Sequence, residues 1–245
     1  MNYRKRIYES FVSKHWAYTH SLKEEEYELY AKSAKKRYEN ILLQDKGANI
    51  IDIACGGGHF LYFLQQQGYI HTQGIDISQE QLDVAEKMGV KNLQKEDFGE
   101  YLPKCLGKFD MIIANDIIEH LTKDEVLNFL DTIYNSLKPR GHILIGVPNV
   151  QCLFSGKPRY CDFTHEQGFT PGSLSQVLRI CDFQNIKVYG EEPVIHDLRS
   201  FIRAMLWQIV KSILKVYLII ESGTGRGLWK KDYILEPKMF AVGEK

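Results

Sequence analysis

Between Asn49 and Val147 the chain repeats one pattern: a short apolar run, a turn, then a segment of helical periodicity. The runs are Ile50 to Ile53, Thr72 to Asp76, Leu93 to Gln94, Phe109 to Ala114 and His142 to Val147, with helical patterns at 59–67, 79–88 and 123–138. Strands this short and apolar need cover on both faces, and crossover helices join strands that run parallel. The repeat therefore specifies an α/β fold, a parallel sheet between two helical layers. A loose Gly/Pro-containing loop over 149–170 follows, then a helix near 172–181, a strand from Gln184 to Tyr189 and a closing strand from Met239 to Val242.

The first strand runs into Ala54-Cys55-Gly56-Gly57-Gly58-His59, three glycines where a buried strand meets a helix. Glycine lets a backbone approach a ligand closely, and the helix N-terminus beyond it is electropositive. The turn therefore predicts a nucleotide-like ligand. It is not a dinucleotide fingerprint, because the third glycine of G-x-G-x-x-G is replaced by Leu61. Asp52, at the end of that strand, suits a cationic amino-acid group better than a pyrophosphate. Asp76 ends the second strand, where an acid accepts ribose hydroxyls. Glu96-Asp97-Phe98 ends the third, where a carboxylate and a ring suit an adenine.

In this order and spacing, Asp52-Ile-Ala-Cys-Gly-Gly-Gly, Gly74-Ile-Asp76-Ile-Ser, Glu96-Asp97-Phe98, Phe109-Asp-Met-Ile-Ile-Ala-Asn115-Asp-Ile-Ile-Glu119-His120-Leu and Leu137-Lys-Pro-Arg-Gly141-His-Ile-Leu-Ile resemble the class I S-adenosylmethionine-dependent methyltransferases. The match covers about 45–190 and the last strand. It implies a Rossmann-like seven-stranded sheet with the last strand antiparallel. It also implies S-adenosyl-L-methionine across the strand tips, held by Asp52, Ala54, Gly56, Gly58, Asp76, Ile77, Asp97, Phe98 and Asn115. Ala54 departs from the family, which usually has glycine there, and the expectation is that the loop tolerates this small-for-small change.

Methyl transfer to a hydroxyl needs a base, because the hydroxyl proton must leave as the new bond forms. His120 and His165 are the candidates, with Asp162 placed to orient His165 as a carboxylate orients a catalytic imidazole. The plainer readings keep His120 as a structural or cofactor-side residue and His165 as a loop histidine bonded to backbone. The block Asp162-Phe163-Thr164-His165, followed by Phe169-Thr170 and Asp182-Phe183, resembles a subgroup of bacterial methyltransferases found with surface-polysaccharide assembly. No metal ligands are expected, since the Asp-Asn clusters of the magnesium-dependent class are not matched in order.

Four segments result: an N-terminal helical cover over 1–46, a core over 47–192, an insertion over 193–235 and the last strand over 236–245. The insertion carries an amphipathic helix near 198–220, with Ile202, Met205, Leu206, Ile209, Ile213, Val216 and Ile220 on one face and Lys211 and Lys215 opposite. Arg199, Arg203, Lys211 and Lys215 meet no acid between Asp197 and Glu221. Such a helix binds a membrane interface, covers an acceptor pocket, joins two copies in a homodimer, or packs on the core with its basic face solvated.

The 31 basic residues balance 31 acidic ones, which argues against a general nucleic-acid binder. Five cysteines, none in a C-x-x-C pair, give no disulfide framework and fit a reducing cytoplasm. The basic start runs into Glu9 rather than an apolar signal core, and no stretch of 18 uncharged apolar residues occurs. The expectation is a cytoplasmic enzyme, peripheral at the inner membrane face, that O-methylates a sugar of a bacterial surface polysaccharide or its precursor. The alternatives are N- or O-methylation of a small metabolite, a non-catalytic cofactor-binding protein, and a nucleotide-sugar oxidoreductase, which would bind NAD.

Overall fold

Asp52, Asp76 and Asn115 end neighbouring parallel strands at one edge of a seven-stranded sheet, and the register of those strands explains why. The computed structural model describes residues 23–222 and 233–245, with Tyr3 and Ile7. Its strands are β1 (Ile50–Ile53), β2 (Thr72–Asp76), β3 (Leu93–Lys95), β4 (Phe109–Asn115), β5 (Leu137–Pro148), β6 (Gln184–Gly190) and β7 (Lys238–Glu244), in the order β3-β2-β1-β4-β5-β7-β6. Ile53 lies beside Ile75 on one flank and Ala114 on the other. All pairs are parallel except those of β7, which runs antiparallel to β5 and β6. The strand order reverses at β1, so a crevice opens above β1 and β4, where open α/β sheets bind their ligands.

The period of two in the strands divides the core. Ile51, Ile53, Ile112, Ala114, Ile143 and Ile145 face α5 (Lys123–Ser136) and α7 (Pro171–Ile180), through Leu130, Ile133, Leu174 and Leu178. Ile50, Met111, Ile113, Leu144 and Phe240 face the opposite layer, α1 (Glu24–Tyr38) and α2 (His59–Gln66), through Tyr38, Phe60, Phe63 and Leu64. Each buried Ile, Leu, Met or Phe among these contributes about 1.5–3 kcal/mol. Thr122 and Glu125 close a capping box at the start of α5, as Thr170 and Ser173 do at α7, with Pro171 in its first turn. Four further α-helices among the described residues are α3 (Gln79–Lys87), α4 (Phe98–Tyr101), α6 (Gly156–Tyr160) and α8 (Leu198–Ser222). The expected loop over 149–170 thus contains a short helix. Residues 1–22 of the expected cover, Tyr3 and Ile7 apart, and residues 223–232 of the expected insertion lie outside the described residues.

The helix of the insertion sits the opposite way round from a core-packing helix with a solvated basic face. Lys211 points inward, 2.9 Å from the buried Glu236 and 2.8 Å from Glu192, and Trp207 Nε1 donates to Glu236 at 3.2 Å. The apolar stripe faces outward: Met205, Leu206, Ile209, Ile213, Val216 and Ile220 are all more than half exposed. Among the described residues no helix is long and apolar enough to cross a membrane.

Candidate active site

One cavity of about 1590 Å³ runs from the glycine turn along the strand tips to the loop at 161–165. Pockets for a single small molecule occupy roughly 300–1,000 Å³, so this one has room for two molecules side by side.

Its first end is the turn after β1. Ala54, Gly56 and Gly58 have φ of 51°, 54° and 73°, in the left-handed region. The Ala54 expectation is corrected in part: the residue is small enough, but its backbone is one that glycine adopts without cost and alanine does not. Gly58 is corrected more fully. It does not line the cavity, and a Cβ there would meet Ala85 Cβ at 2.9 Å and Val90 Cγ2 at 3.2 Å, so it lets α2 and α3 close together. Gly56 and Gly57 do line the cavity. The Gly56 N–H donates to Asp76 Oδ2 at 2.9 Å, and the Ser78 N–H donates to Asp76 Oδ1 at 2.8 Å. Each Asp76 oxygen keeps lone-pair capacity toward the cavity. Burial raises the pKa of Asp52, with the Asp76 charge adding to it. Burial also raises Asp76, against the pull of the Ser78, Gly56 and Ile77 backbone donors.

Ile77, Asp97, Phe98 and Asn115 complete this wall. Asp97 also caps α4, accepting the Gly99 N–H at 2.7 Å, and the Phe98 ring packs edge-on against Phe129 at 4.8 Å. The cover helix closes the top. Tyr27 donates to the Gly57 carbonyl at 2.5 Å and stacks on His59, while Arg37 pairs with Glu191 at 3.4 Å. Sequence reasoning missed Tyr27, Tyr30, Tyr38 and Lys238 at this site. The signal available was the spacing of buried tyrosines in α1, which reads equally as core.

The second end is built on the turn after β4, a single 3-10 turn over Ile118–His120. The Glu119 carbonyl accepts the N–H groups of Glu166 at 2.7 Å and Gln167 at 3.0 Å, which ties this turn to the His165 loop. His120 and His165 thereby meet edge to face, with ring centroids 4.7 Å apart. The expected Asp162–His165 pairing is corrected. Asp162 Oδ1 accepts from both the Thr164 N–H (2.8 Å) and hydroxyl (2.7 Å), and Thr164 Oγ1 lies 2.7 Å from His120 Nδ1. Asp162 therefore orients His120, through Thr164. His165 Nδ1 lies 3.1 Å and 3.2 Å from the carbonyls of Pro158 and Arg159, so main chain orients it.

Burial lowers the pKa of His120, helped by His165 and opposed by Asp162. Burial alone would raise Asp162, but the Thr164 hydrogen bonds and the two imidazoles outweigh it and hold it below the usual range. Glu119, which sequence reasoning quoted only as part of a motif, is 1% exposed. Burial raises its pKa well above the usual carboxylate range, and the Asp116 charge adds to that; its own backbone N–H and Lys238 offset it only in part.

Acids at one end suit a ligand with a cationic centre and vicinal hydroxyls, and the Gly56–Gly57 cradle admits its backbone-close part. S-adenosylmethionine has those features, so the residues present fit it.

A family model described as a methyltransferase domain matches residues 23–188. The ubiquinone biosynthesis O-methyltransferase of Coxiella burnetii is 29% identical over 160 residues, spanning 58% of this chain and 68% of its own length. Among solved structures, a SAM-dependent methyltransferase from Archaeoglobus fulgidus superposes with a TM-score of 0.65 at 23% identity, over 89% of this chain and 94% of that one. Phosphoethanolamine N-methyltransferase 2 of Haemonchus contortus, in complex with S-adenosyl-L-methionine, gives 0.60 at 17% identity over 97% of this chain and 60% of that one.

Proposed function

Because this chain belongs to the class I S-adenosylmethionine-dependent methyltransferases, we propose that it methylates a hydroxyl, and that the hydroxyl belongs to a sugar of a membrane-associated glycan or its lipid-linked precursor. One observation carries the hydroxyl: a pair of oriented histidines stands beside a buried carboxylate at the end of the cavity away from the cofactor acids. An amine acceptor needs no such group once it arrives deprotonated, whereas a hydroxyl does.

The bound cofactor supplies an electrophilic methyl on a sulfonium. Transfer to a hydroxyl would exchange the carbon–sulfur bond for a carbon–oxygen bond and release one proton, so the residues have to align the two reactants and receive that proton. Asp52, Asp76 and the glycine turn hold one reactant, and the second end of the cavity holds the other in line with it. The hydroxyl proton leaves into the pocket of His120 and His165. Asp162 acts there through Thr164 as a positioning residue.

The glycan reading is supported by the resemblance of the block from Asp162 to His165 to the surface-polysaccharide subgroup, and by the outward apolar stripe of α8 beside the exposed Arg199 and Arg203. That stripe would rest in an anionic membrane surface at the cytoplasmic face. Labelled S-adenosylmethionine offered with lipid-linked saccharides, free sugars and small phenols and amines, read by mass, tests the reading. A methyl ether on a saccharide is expected. Transfer confined to amines or to non-sugar acceptors overturns it.

A further inference from the structure

We propose that Glu119, His120 and His165 form a binding site for a divalent transition-metal cation, with coordination positions open to the cavity. Each of the three offers a ligand atom, and these atoms lie within 4.8 Å of one another. A cation with bonds of roughly 2.0–2.2 Å draws such a set together by modest side-chain rotation.

The hydrogen bonds around the two rings orient them as ligands. Carbonyl oxygens only accept, so the Pro158 and Arg159 carbonyls place the His165 proton on Nδ1 and leave the lone pair on Nε2. The Thr164 hydroxyl donates its own proton to Asp162, so Oγ1 accepts from His120 Nδ1 and again leaves the lone pair on Nε2. Histidines that bind metals characteristically donate the other ring N–H to a carbonyl, a carboxylate or a hydroxyl in this way.

Glu119 is the independent observation. Both its carboxylate oxygens are buried, and no other described residue gives either of them a hydrogen bond, the Glu119 backbone N–H alone pulling weakly on the carboxylate. Lys238, the nearby cation, is bound to Asp116 at 2.5 Å. Buried carboxylates are ordinarily paired or coordinate metals.

Two imidazoles and one carboxylate select zinc, manganese, iron or cobalt over magnesium and calcium, which prefer all-oxygen sites. Three protein ligands leave a fourth position open, as in catalytic rather than structural zinc sites. That position faces the cavity where the acceptor hydroxyl is placed. The ion and the proton are alternatives for the same nitrogens: with the ion bound, the imidazoles are ligands, and the hydroxyl is acidified on the ion and releases its proton to water. Only this last step rests on the proposed hydroxyl acceptor.

The test uses the full chain, stripped with a chelator, dialysed and titrated with Co²⁺ alone while visible absorption is read. The variants are His165→Ala, Glu119→Gln and, as a control on an exposed histidine elsewhere, His71→Ala. Retained S-adenosylhomocysteine binding, measured by calorimetry, certifies that each is folded. Expected are one equivalent of Co²⁺ per chain, displaced by Zn²⁺, with affinity weakened roughly tenfold or more in the first two variants and unchanged in His71→Ala. No Co²⁺ absorption in the wild type, or absorption that both ligand variants retain, overturns the site. Methyl transfer to a hydroxyl by the stripped protein, together with no Co²⁺ binding, also overturns it and leaves the acceptor reading standing.

Discussion

The carboxylate of Asp76 accepts the backbone N–H of Gly56 at 2.9 Å, so the tip of β2 and the turn after β1 form one rigid unit. The same carboxylate lines the cavity, where it would accept the ribose hydroxyls expected of a residue at the tip of β2. Asp76→Ala removes both functions. Hydrogen bonds to a charged group contribute about 1.5–3 kcal/mol, so S-adenosylhomocysteine affinity should fall by roughly 10- to 100-fold. Calorimetry checks this, and an unchanged affinity removes the ribose assignment.

Ala54 has φ of 51°. An L-residue in that region costs about 1–2 kcal/mol, of which glycine's larger unfolded-state entropy takes back about 0.5–1 kcal/mol. Ala54→Gly should therefore stabilise the protein by up to about 1.5 kcal/mol, raising Tm by at most roughly 3–6 °C without loss of cofactor affinity. A lower Tm would show that the alanine methyl makes contacts worth more than the backbone strain.

Much of the fold was legible because strand and helix periodicities are local. Ile50 to Ile53 and Phe109 to Ala114 allow no wet face, and that alone places them centrally. The acids at 52 and 76 were legible as a pair because parallel strands bring their C-terminal ends to one edge. The second end of the cavity was not. Glu119 and His165 lie far apart in sequence, and they meet only because backbone N–H groups of 166 and 167 find the Glu119 carbonyl. Asp162 was assigned to the wrong histidine for a related reason: proximity in sequence favoured His165, whereas Thr164 carries the contact to His120. The orientation of α8 was also hidden. An amphipathic pattern says that two faces differ, and only the buried Glu236 decides that the lysine side turns inward.

Thr164 links Asp162 to His120 through contacts of 2.7 Å on either side. Thr164→Val keeps the shape and removes the link. Losses from outer-shell partners of this kind are about 10- to 100-fold, and turnover should fall by that order while S-adenosylhomocysteine affinity stays unchanged. Thr164→Ser, which restores the hydroxyl, should recover most of it. Equal losses in both variants would make the residue a matter of packing alone.

The outward stripe of α8 predicts association with vesicles of phosphatidylcholine and phosphatidylglycerol, weakening as salt rises because basic residues near an anionic surface contribute about 1 kcal/mol each. Ile209→Asp combined with Ile213→Asp should abolish co-sedimentation without lowering Tm, since both side chains are solvent-facing. Absence of binding at low salt would exclude the membrane. A dimer in solution that the same double variant dissociates would assign the stripe to a second copy instead.

Asp52 is buried, and the neighbouring Asp76 charge reinforces the upward shift of its pKa. In the unfolded chain it titrates near 3.9, so between that value and its raised folded value the native state binds the extra proton. Stability from this group is therefore fully present below about pH 3.9 and is lost as pH rises through the folded pKa. Above about pH 3.9 this group therefore lowers the stability of the cofactor-free protein, and a cationic ligand beside it would favour its charged form. Asp52→Asn should raise the Tm of the cofactor-free protein at pH 7, by an amount that shrinks toward zero as pH approaches about 3.9, while weakening S-adenosylmethionine binding. Tm measured against pH for both proteins, with and without ligand, checks both halves. A lower Tm in Asp52→Asn at pH 7 would mean that the carboxylate is satisfied within the protein, and the cationic-ligand role would fall with it.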